Sequence, residues 1–184
     1  KSNEVKEKNK LVYNYLLKKI FKKANFNKIS SNNEKKTFKI IDKIYFNNSI
    51  SKKINETKSS LKFSISSRLK STTAGFCKFT YYLNEFNEFD YGNYELIISK
   101  PLIENLFKNN EKALKINGIH CKNRLECYIN LYQHEIIHLV IGLFCHKQGE
   151  KMGGHTKTFK TIAYNLFRHT EYKHMLLSGD SIEN

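Results

Sequence analysis

The stretch LYQHEIIHLVIGLFCHKQGEKMGGHTKTF, residues 131–159, combines an apolar run with histidines at regular spacing. His134 and His138 lie four positions apart, Glu135 follows the first of them, and His155 comes after two glycines. On a helix, residues four apart project from the same face about one turn from each other. The stretch therefore predicts a helix that presents two imidazoles and a neighbouring carboxylate.

These residue types suit zinc chemistry. Neutral imidazole is a common zinc ligand, and a carboxylate beside the ion can take a proton from water and pass it to the leaving amine. We therefore predict His134 and His138 as zinc ligands and Glu135 as the catalytic carboxylate of a peptidase. The alternative is a helix with two hydrogen-bonded core histidines. It is disfavoured because such polar groups are costly in an apolar helix without a function.

The position of the third ligand depends on the chain beyond this helix. A metzincin has Gly and His where this chain has Ile141 and Phe144, which excludes that class. Cys145 and His146 are two turns beyond His138 if the helix continues. At about 1.5 Å of rise per residue they would lie at least ~10 Å away along the axis. That separation is too large for one ion unless the helix breaks.

Two candidates for the third ligand remain, His155 and Glu150. His155 is favoured because the two glycines before it allow the chain to turn back toward the helix. A different, structural zinc site could be formed by Cys121, Cys127 and His146. We disfavour it because buried free thiols are common.

The positive charge is concentrated near the start of the chain. The formal net charge is +15. Residues 1–70 contain 18 Lys and one Arg against five acidic residues. Residues 71–184 contain 13 basic residues against 12 acidic ones. This asymmetry indicates a polyanionic partner, nucleic acid above all, bound mainly through its phosphates because lysine is a point charge. We place the contact at Lys18, Lys19, Lys22 and Lys23. The alternative is a compositional bias toward Lys, Asn and Ile.

Length and composition indicate a single globular domain, and the order of its elements, helices, then strands, then helices, indicates an α+β fold. Helical spacing predicts helices at 3–24, with Val5, Val12, Tyr15, Leu16 and Ile20 on the apolar face, and at 37–46, 122–146 and from 155 onward, and a short helix beginning at Pro101. Residues 27–36 read as a polar linker. Strands are predicted at 61–69, 73–82 and 94–99, the first two as antiparallel neighbours.

Several classes of protein are disfavoured by the sequence. The longest apolar run, IIHLVIGLFC, is about half the length of a membrane span, so we predict no membrane association. Four cysteines in a chain of this length do not suggest a disulfide framework. We therefore expect a reducing, intracellular location, which would be nuclear in a eukaryote and cytoplasmic otherwise.

Five segments, in order, resemble the SprT-like zinc metallopeptidase domain of Spartan-type DNA–protein crosslink proteases. They are FKIIDKIYFNNSI (38–50), SSRLKSTTAGFCKF (66–79), YELIISKPLI (94–103), NLYQHEIIHLVIGLF (130–144) and GGHTKTF (153–159). The last resembles the Gly-His-Gly-x-x-Phe segment that supplies the third ligand in the family. By position, the resemblance makes His134, His138 and His155 the zinc ligands and Glu135 the catalytic residue.

The resemblance implies a zincin-like α+β fold in which a small sheet of about three strands, antiparallel or mixed, packs on the active-site helix. It divides the chain into a basic helix and linker, residues 1–36, and the metallopeptidase domain, residues 37–184. The implied function is a zinc-dependent endopeptidase for proteins bound or crosslinked to DNA. The alternatives are a basic DNA-binding module with structural zinc, and a general intracellular zinc peptidase.

The chain differs from the family's pattern in two features. The family's glycine after the third ligand is Thr156 here, which reduces backbone freedom. No Cys-rich zinc ribbon comes after the third ligand, so the Lys-rich segment is the expected DNA contact. A donor to the oxyanion is not identified: Tyr164, Tyr172 and His174 could reach back, although a core or surface role is favoured for each.

Overall fold

The computed structural model describes residues 2–69, 73–108, 113–145 and 154–172. Its helices are α1 (Ser2–Leu16, continued by a π-helical turn, Leu17–Phe21), α2 (Ser31–Phe46), α3 (Ser49–Glu56), α4 (Lys100–Asn105), α5 (Arg124–Phe144) and α6 (Lys157–Ile162, continued by a π-helical turn, Ala163–Phe167). Its strands are β1 (Ser60–Ser66), β2 (Gly75–Leu83), β3 (Phe89–Ser99), β4 (Leu114–Ile116) and β5 (Ile119–Cys121). The predicted α+β class is confirmed.

The main sheet has three strands in the order β1-β3-β2. β3 pairs with β1 in parallel and with β2 in antiparallel orientation. The predicted pairing of the first two strands is therefore wrong, because β3 lies between them. β3 contains the continuous buried run Leu96, Ile97 and Ile98. Such a run is typical of a central strand, whereas alternation suits the two edges.

Helix α5 forms the centre of the molecule and packs against β2 and β3. Most of its side chains are buried, as the apolar sequence predicts. The Asn123 side chain caps the helix by accepting a hydrogen bond from the Glu126 amide at 3.0 Å. The buried Arg124 guanidinium donates to the carbonyls of Leu106 and Phe26 and so fixes the helix start. No described helix, α5 included, is long and apolar enough to cross a membrane.

Helix α1 contributes to the same core as α5. Val12 and Leu16 are fully buried, and Phe21 in the following π-helical turn stacks on Phe26 with ring centroids 4.1 Å apart. Phe21 also contacts Tyr128 of α5 at 5.4 Å. Tyr15 was expected on this face but is 45% exposed. It lies one residue before Leu16, about 100° away around the helix, and so falls outside the narrow buried stripe.

The predicted linker at 27–36 is wrong for its second half. Ser30 and Asn33 form a reciprocal capping box that begins α2 at Ser31, six residues before the predicted start. Ile29, in front of the cap, is buried in the common core. The division of the chain at residue 36 stays a prediction, although the apolar faces on both sides of it meet in one core.

Helix α2 contains a buried carboxyl group whose burial is only partly compensated. Glu34 is fully buried, and neither of its carboxylate oxygens has a hydrogen-bond partner in the described part of the chain. Burial above all, with repulsion from Glu95 and Glu135, raises the pKa of Glu34 to about 9, and the Ser64 backbone offsets part of this. The group is therefore protonated at neutral pH in the folded protein.

This raised pKa predicts a pH-dependent stability. The folded chain binds the Glu34 proton more tightly than the unfolded chain, so stability should be lost as pH rises from about 4.5 toward about 9. We expect Glu34→Gln to be more stable than wild type at pH 8.5 by at least about 1 kcal/mol, with a smaller difference at pH 5. Urea unfolding at both pH values measures this. An equal difference at both would contradict it.

Candidate metal centre

The middle of α5 presents the two histidines of the sequence motif to one side. His134 is 1% exposed and His138 is half-buried, and their ring centroids are 5.2 Å apart. The four-residue spacing on an unbroken helix produces this proximity. The His134 imidazole, at 1% exposure, requires a polar partner from the protein or a metal ion, because its burial excludes most water.

The third histidine comes from the segment that precedes α6. Gly154 has φ of +136°, a conformation that side-chain-bearing residues rarely adopt. His155 follows, and its Nε2 atom lies 3.0 Å from the Nε2 atom of His134. One ring nitrogen from each of His134, His138 and His155 lies within 4.8 Å of the others. The structure thus brings together the three residues that the sequence indicated.

The start of α6 fixes the orientation of His155. Thr156 is the N-cap, and its side chain accepts a hydrogen bond from the Phe159 amide at 3.2 Å. The hydroxyl thus gives this position a capping function in place of the family's glycine. The ring centroid of the buried Phe159 lies 4.6–4.8 Å from the ring centroid of each of the three histidines.

Sequence reasoning missed this central position of Phe159, and assigned it only to an apolar face. The sequence signal for this position was an aromatic residue four positions after His155. The family's Gly-His-Gly-x-x-Phe segment has its Phe at the same spacing. Phe159 packs with Ile137, Ile141 and Phe167 in a small apolar cluster behind the histidines. The ring therefore links the histidine group to the packing of α5 against α6.

Glu135 faces the sheet, close to the start of β2. A Cβ atom on Gly75 would lie 2.8 Å from the Ile97 carbonyl oxygen and 3.3 Å from the Glu135 Cγ atom. Only glycine therefore lets this strand approach so closely. Burial raises the pKa of Glu135 to about 8, and a hydrogen bond from the Cys77 backbone lowers it in part. Burial at this position thus disfavours the charged form of the carboxyl group.

The donor set fits a zinc ion. Burial, and secondarily the charge of Lys160, lowers the pKa of His155, which favours the neutral imidazole that binds a metal. Tetrahedral Zn–N bonds of about 2.0–2.1 Å place ligand nitrogens about 3.3 Å apart. The Nε2 atoms of His134 and His155 are 3.0 Å apart, and the His138 nitrogen lies within 4.8 Å of both ligand atoms. Three protein ligands are typical of catalytic zinc sites, which leave a fourth position open.

The other metal-ligand candidates do not join this group in the described residues. Cys145 caps the end of α5 and packs near the Phe159 cluster. Cys121 and Cys127 are buried elsewhere in the core. Glu150 and His146 lie outside the described residues.

The three candidate oxyanion donors have different positions. The Tyr172 ring centroid lies 6.3 Å from that of His155, but the Tyr172 hydroxyl donates to the His169 carbonyl at 3.2 Å. Tyr164 is half exposed, and its ring lies 5.0 Å from the Arg168 guanidinium. His174 lies outside the described residues.

The lysines proposed to contact DNA lie in and just after the π-helical turn that follows α1, more than 100 residues before α5 in the sequence. Lys18, Lys19, Lys22 and Lys23 are all exposed, and in the described ranges none of them forms an ion pair. The Lys22 ammonium donates to the Lys18 carbonyl at 2.8 Å. The side of this turn that faces inward is anchored by buried Phe21.

A search of family models matched the SprT-like family over residues 34–175. The chain belongs to the SprT-like family. Searches of curated proteins and of solved structures found no match. Membership confirms the resemblance that the sequence motifs indicated, and the mixed three-stranded sheet packed on α5 is consistent with the zincin-like fold of the family. It supports a metallopeptidase-type domain, in agreement with the three-histidine group.

Removing His155 tests the proposed zinc site. We expect His155→Ala to reduce bound zinc from about one per chain to well below half, because two imidazoles alone hold zinc weakly. Exposed His120 is not in the group, so His120→Ala serves as the control and should retain the metal. Metal analysis after gel filtration gives the stoichiometry. Wild-type zinc content in His155→Ala would exclude His155 as a ligand.

Proposed function

We propose that this protein is a zinc-dependent endopeptidase that cleaves proteins bound or crosslinked to DNA. The observation that carries the proposal is the convergence of His134, His138 and His155 beside the buried carboxyl group of Glu135. The SprT-like family supports the metallopeptidase part of the proposal. The positive charge of the first 70 residues supports the DNA part.

Each residue of the site has a role in peptide hydrolysis. A zinc ion bound by the three imidazoles would polarise the scissile carbonyl and make water more acidic. The Glu135 carboxylate accepts the proton of the attacking water and delivers it to the leaving amine nitrogen. Phe159 keeps the imidazoles in place and excludes water behind them.

The position of β2 indicates how a substrate would bind. Among the described strands, β2 is at the edge of the sheet, and it begins next to Glu135. An extended peptide can add to such an edge through main-chain hydrogen bonds. Main-chain recognition depends little on side chains, so the sequence preference of cleavage should be loose. Selectivity would then come from holding enzyme and substrate on the same DNA.

The two alternatives make different demands on the site. A structural zinc site is closed by four protein ligands, whereas the described residues bring together three histidines. A general zinc peptidase would have the same histidines but no response to DNA. We propose that the protein acts inside the cell, where DNA is its partner.

Glu135→Gln tests the assignment of the general base. The amide can hydrogen-bond water but cannot accept its proton, so we expect cleavage of casein to fall by at least about a thousandfold. Bound zinc and thermal stability should stay close to wild type. Exposed Glu56→Gln is the matched control and should cleave normally. Activity retained by Glu135→Gln would remove this residue from the mechanism.

Charge reversal on the basic turn tests the DNA contact. We expect replacement of Lys18, Lys19, Lys22 and Lys23 by Glu to weaken DNA binding and to abolish DNA-stimulated cleavage of histones. For each phosphate that the variant no longer neutralises, the slope of log K against log[salt] should become shallower by about 0.9 on duplex DNA. Cleavage of a short peptide should persist, since these side chains point outward.

A charge-matched control makes this test specific. Lys39, Lys78, Lys100 and Lys108 are exposed and lie outside the basic turn, so changing all four to Glu alters the net charge equally. We expect this variant to retain most of the salt slope. An unchanged slope in the first variant, or equal reductions in both, would favour the general zinc peptidase.

A further inference from the structure

A second concave site lies between α1, β5 and α5, separate from the histidine group. Its volume is about 400 Å³, within the range of about 300–1,000 Å³ that is usual for small-molecule pockets. On α5 it is lined by Glu126, Ile129 and Asn130, which belong to the turns before His134. The site is therefore built on the active-site helix but toward its N-terminal end.

The rim of this cavity carries an excess of positive charge. Lys10 of α1 and Lys122 before α5 line it, together with His120 of β5. All three are exposed, and in the described ranges neither lysine forms an ion pair. Two ammonium groups on opposite elements are thus available to one anionic ligand.

The acidic group in the cavity is already engaged. Both carboxylate oxygens of Glu126 accept hydrogen bonds, one from the Lys122 amide at 2.6 Å and one from the Asn123 side chain at 3.1 Å. The first amides of α5 also have partners, such as Asn25 Oδ1 for Arg124. An anion here would consequently be recognised by side chains and not by the helix terminus.

The remaining wall is apolar and aromatic. Ile119 and Ile129 line the cavity together with half-buried Tyr13. Burial, followed by the charge of Glu126, raises the pKa of Tyr13, so its hydroxyl stays protonated and can donate. Asn9 Oδ1 accepts from Tyr45 and Gln133, which leaves the Asn9 amide nitrogen as a further donor. A flat ring could pack on the tyrosine and the isoleucines.

We propose that this cavity binds a phosphate-bearing ligand of the size of one nucleotide. Lys10 and Lys122 would hold the phosphate, while Tyr13 and the two isoleucines would contact the base. The same chemistry belongs to a free nucleotide and to the phosphorylated end of a nucleic acid strand. The site requires neither zinc nor Glu135, so its binding can be measured independently of peptidase activity.

Calorimetric titration of the zinc-loaded protein with 5′-AMP tests the proposal. We expect saturable binding with a Kd below about 1 mM, and binding of adenosine or of inorganic phosphate that is at least about tenfold weaker. Lys10→Ala combined with Lys122→Ala should weaken 5′-AMP binding by at least about tenfold. The matched control, Lys39→Ala with Lys108→Ala, removes the same charge at exposed positions outside the cavity and should bind like wild type.

Competition distinguishes the two sources of the ligand. If a 5′-phosphorylated single-stranded oligonucleotide displaces 5′-AMP at a lower concentration than its 5′-hydroxyl counterpart, the strand end is the ligand. If both compete equally poorly, the free nucleotide is the ligand. Absence of 5′-AMP binding at about 5 mM, adenosine binding as tight as that of 5′-AMP, or equally weakened binding in the cavity and control variants would overturn the proposal. Unchanged melting temperature and zinc content confirm that the variants are folded.

Discussion

The exclusion of water from α5 determines where each polar group of the site can lie. His134 and Glu135 are almost completely buried in an apolar helix, and unpartnered polar groups at that depth cost several kcal/mol, or roughly 1–3 by mutational measures. Partners must therefore come from elsewhere in the chain. His155 approaches from the segment before α6, and the Cys77 backbone approaches from β2. The packing of β2 and of the segment before α6 against α5 meets this requirement.

Local patterns were sufficient to predict α5 and its histidines, because both depend on spacing along one helix. The apolar face of α6 and the freedom of the chain before His155 are also local properties. The order of the strands is not a local property, because β1 pairs with β3 across more than twenty intervening residues. Strands that are neighbours in sequence are usually neighbours in the sheet. This rule gives the wrong order here because β3, the strand with the most apolar run, lies in the centre of the sheet.

Some polar residues that serve as caps or turns misled the prediction. Ser30 and Asn33 read as linker residues, yet they form the capping box of α2. Asn117 and Gly118 form the tight turn of the β4–β5 hairpin, both with positive φ. This Asn-Gly pair is a strong hairpin signal, and it was overlooked because the flanking strands have only three residues each. Short elements give too few positions for periodicity to appear.

The inner side of the basic N-terminal helix, α1, is continuous with the core that surrounds α5. Val12 and Leu16 pack there, and Asn9 accepts hydrogen bonds from Tyr45 of α2 and from Gln133, the residue before His134. Such packing holds the outward lysines at a fixed position relative to the active-site helix. If those lysines bind DNA as proposed, the peptidase site would be held at a set distance from the duplex. Cleavage would then be limited to protein segments that extend to that distance, which requires no recognition of their sequence.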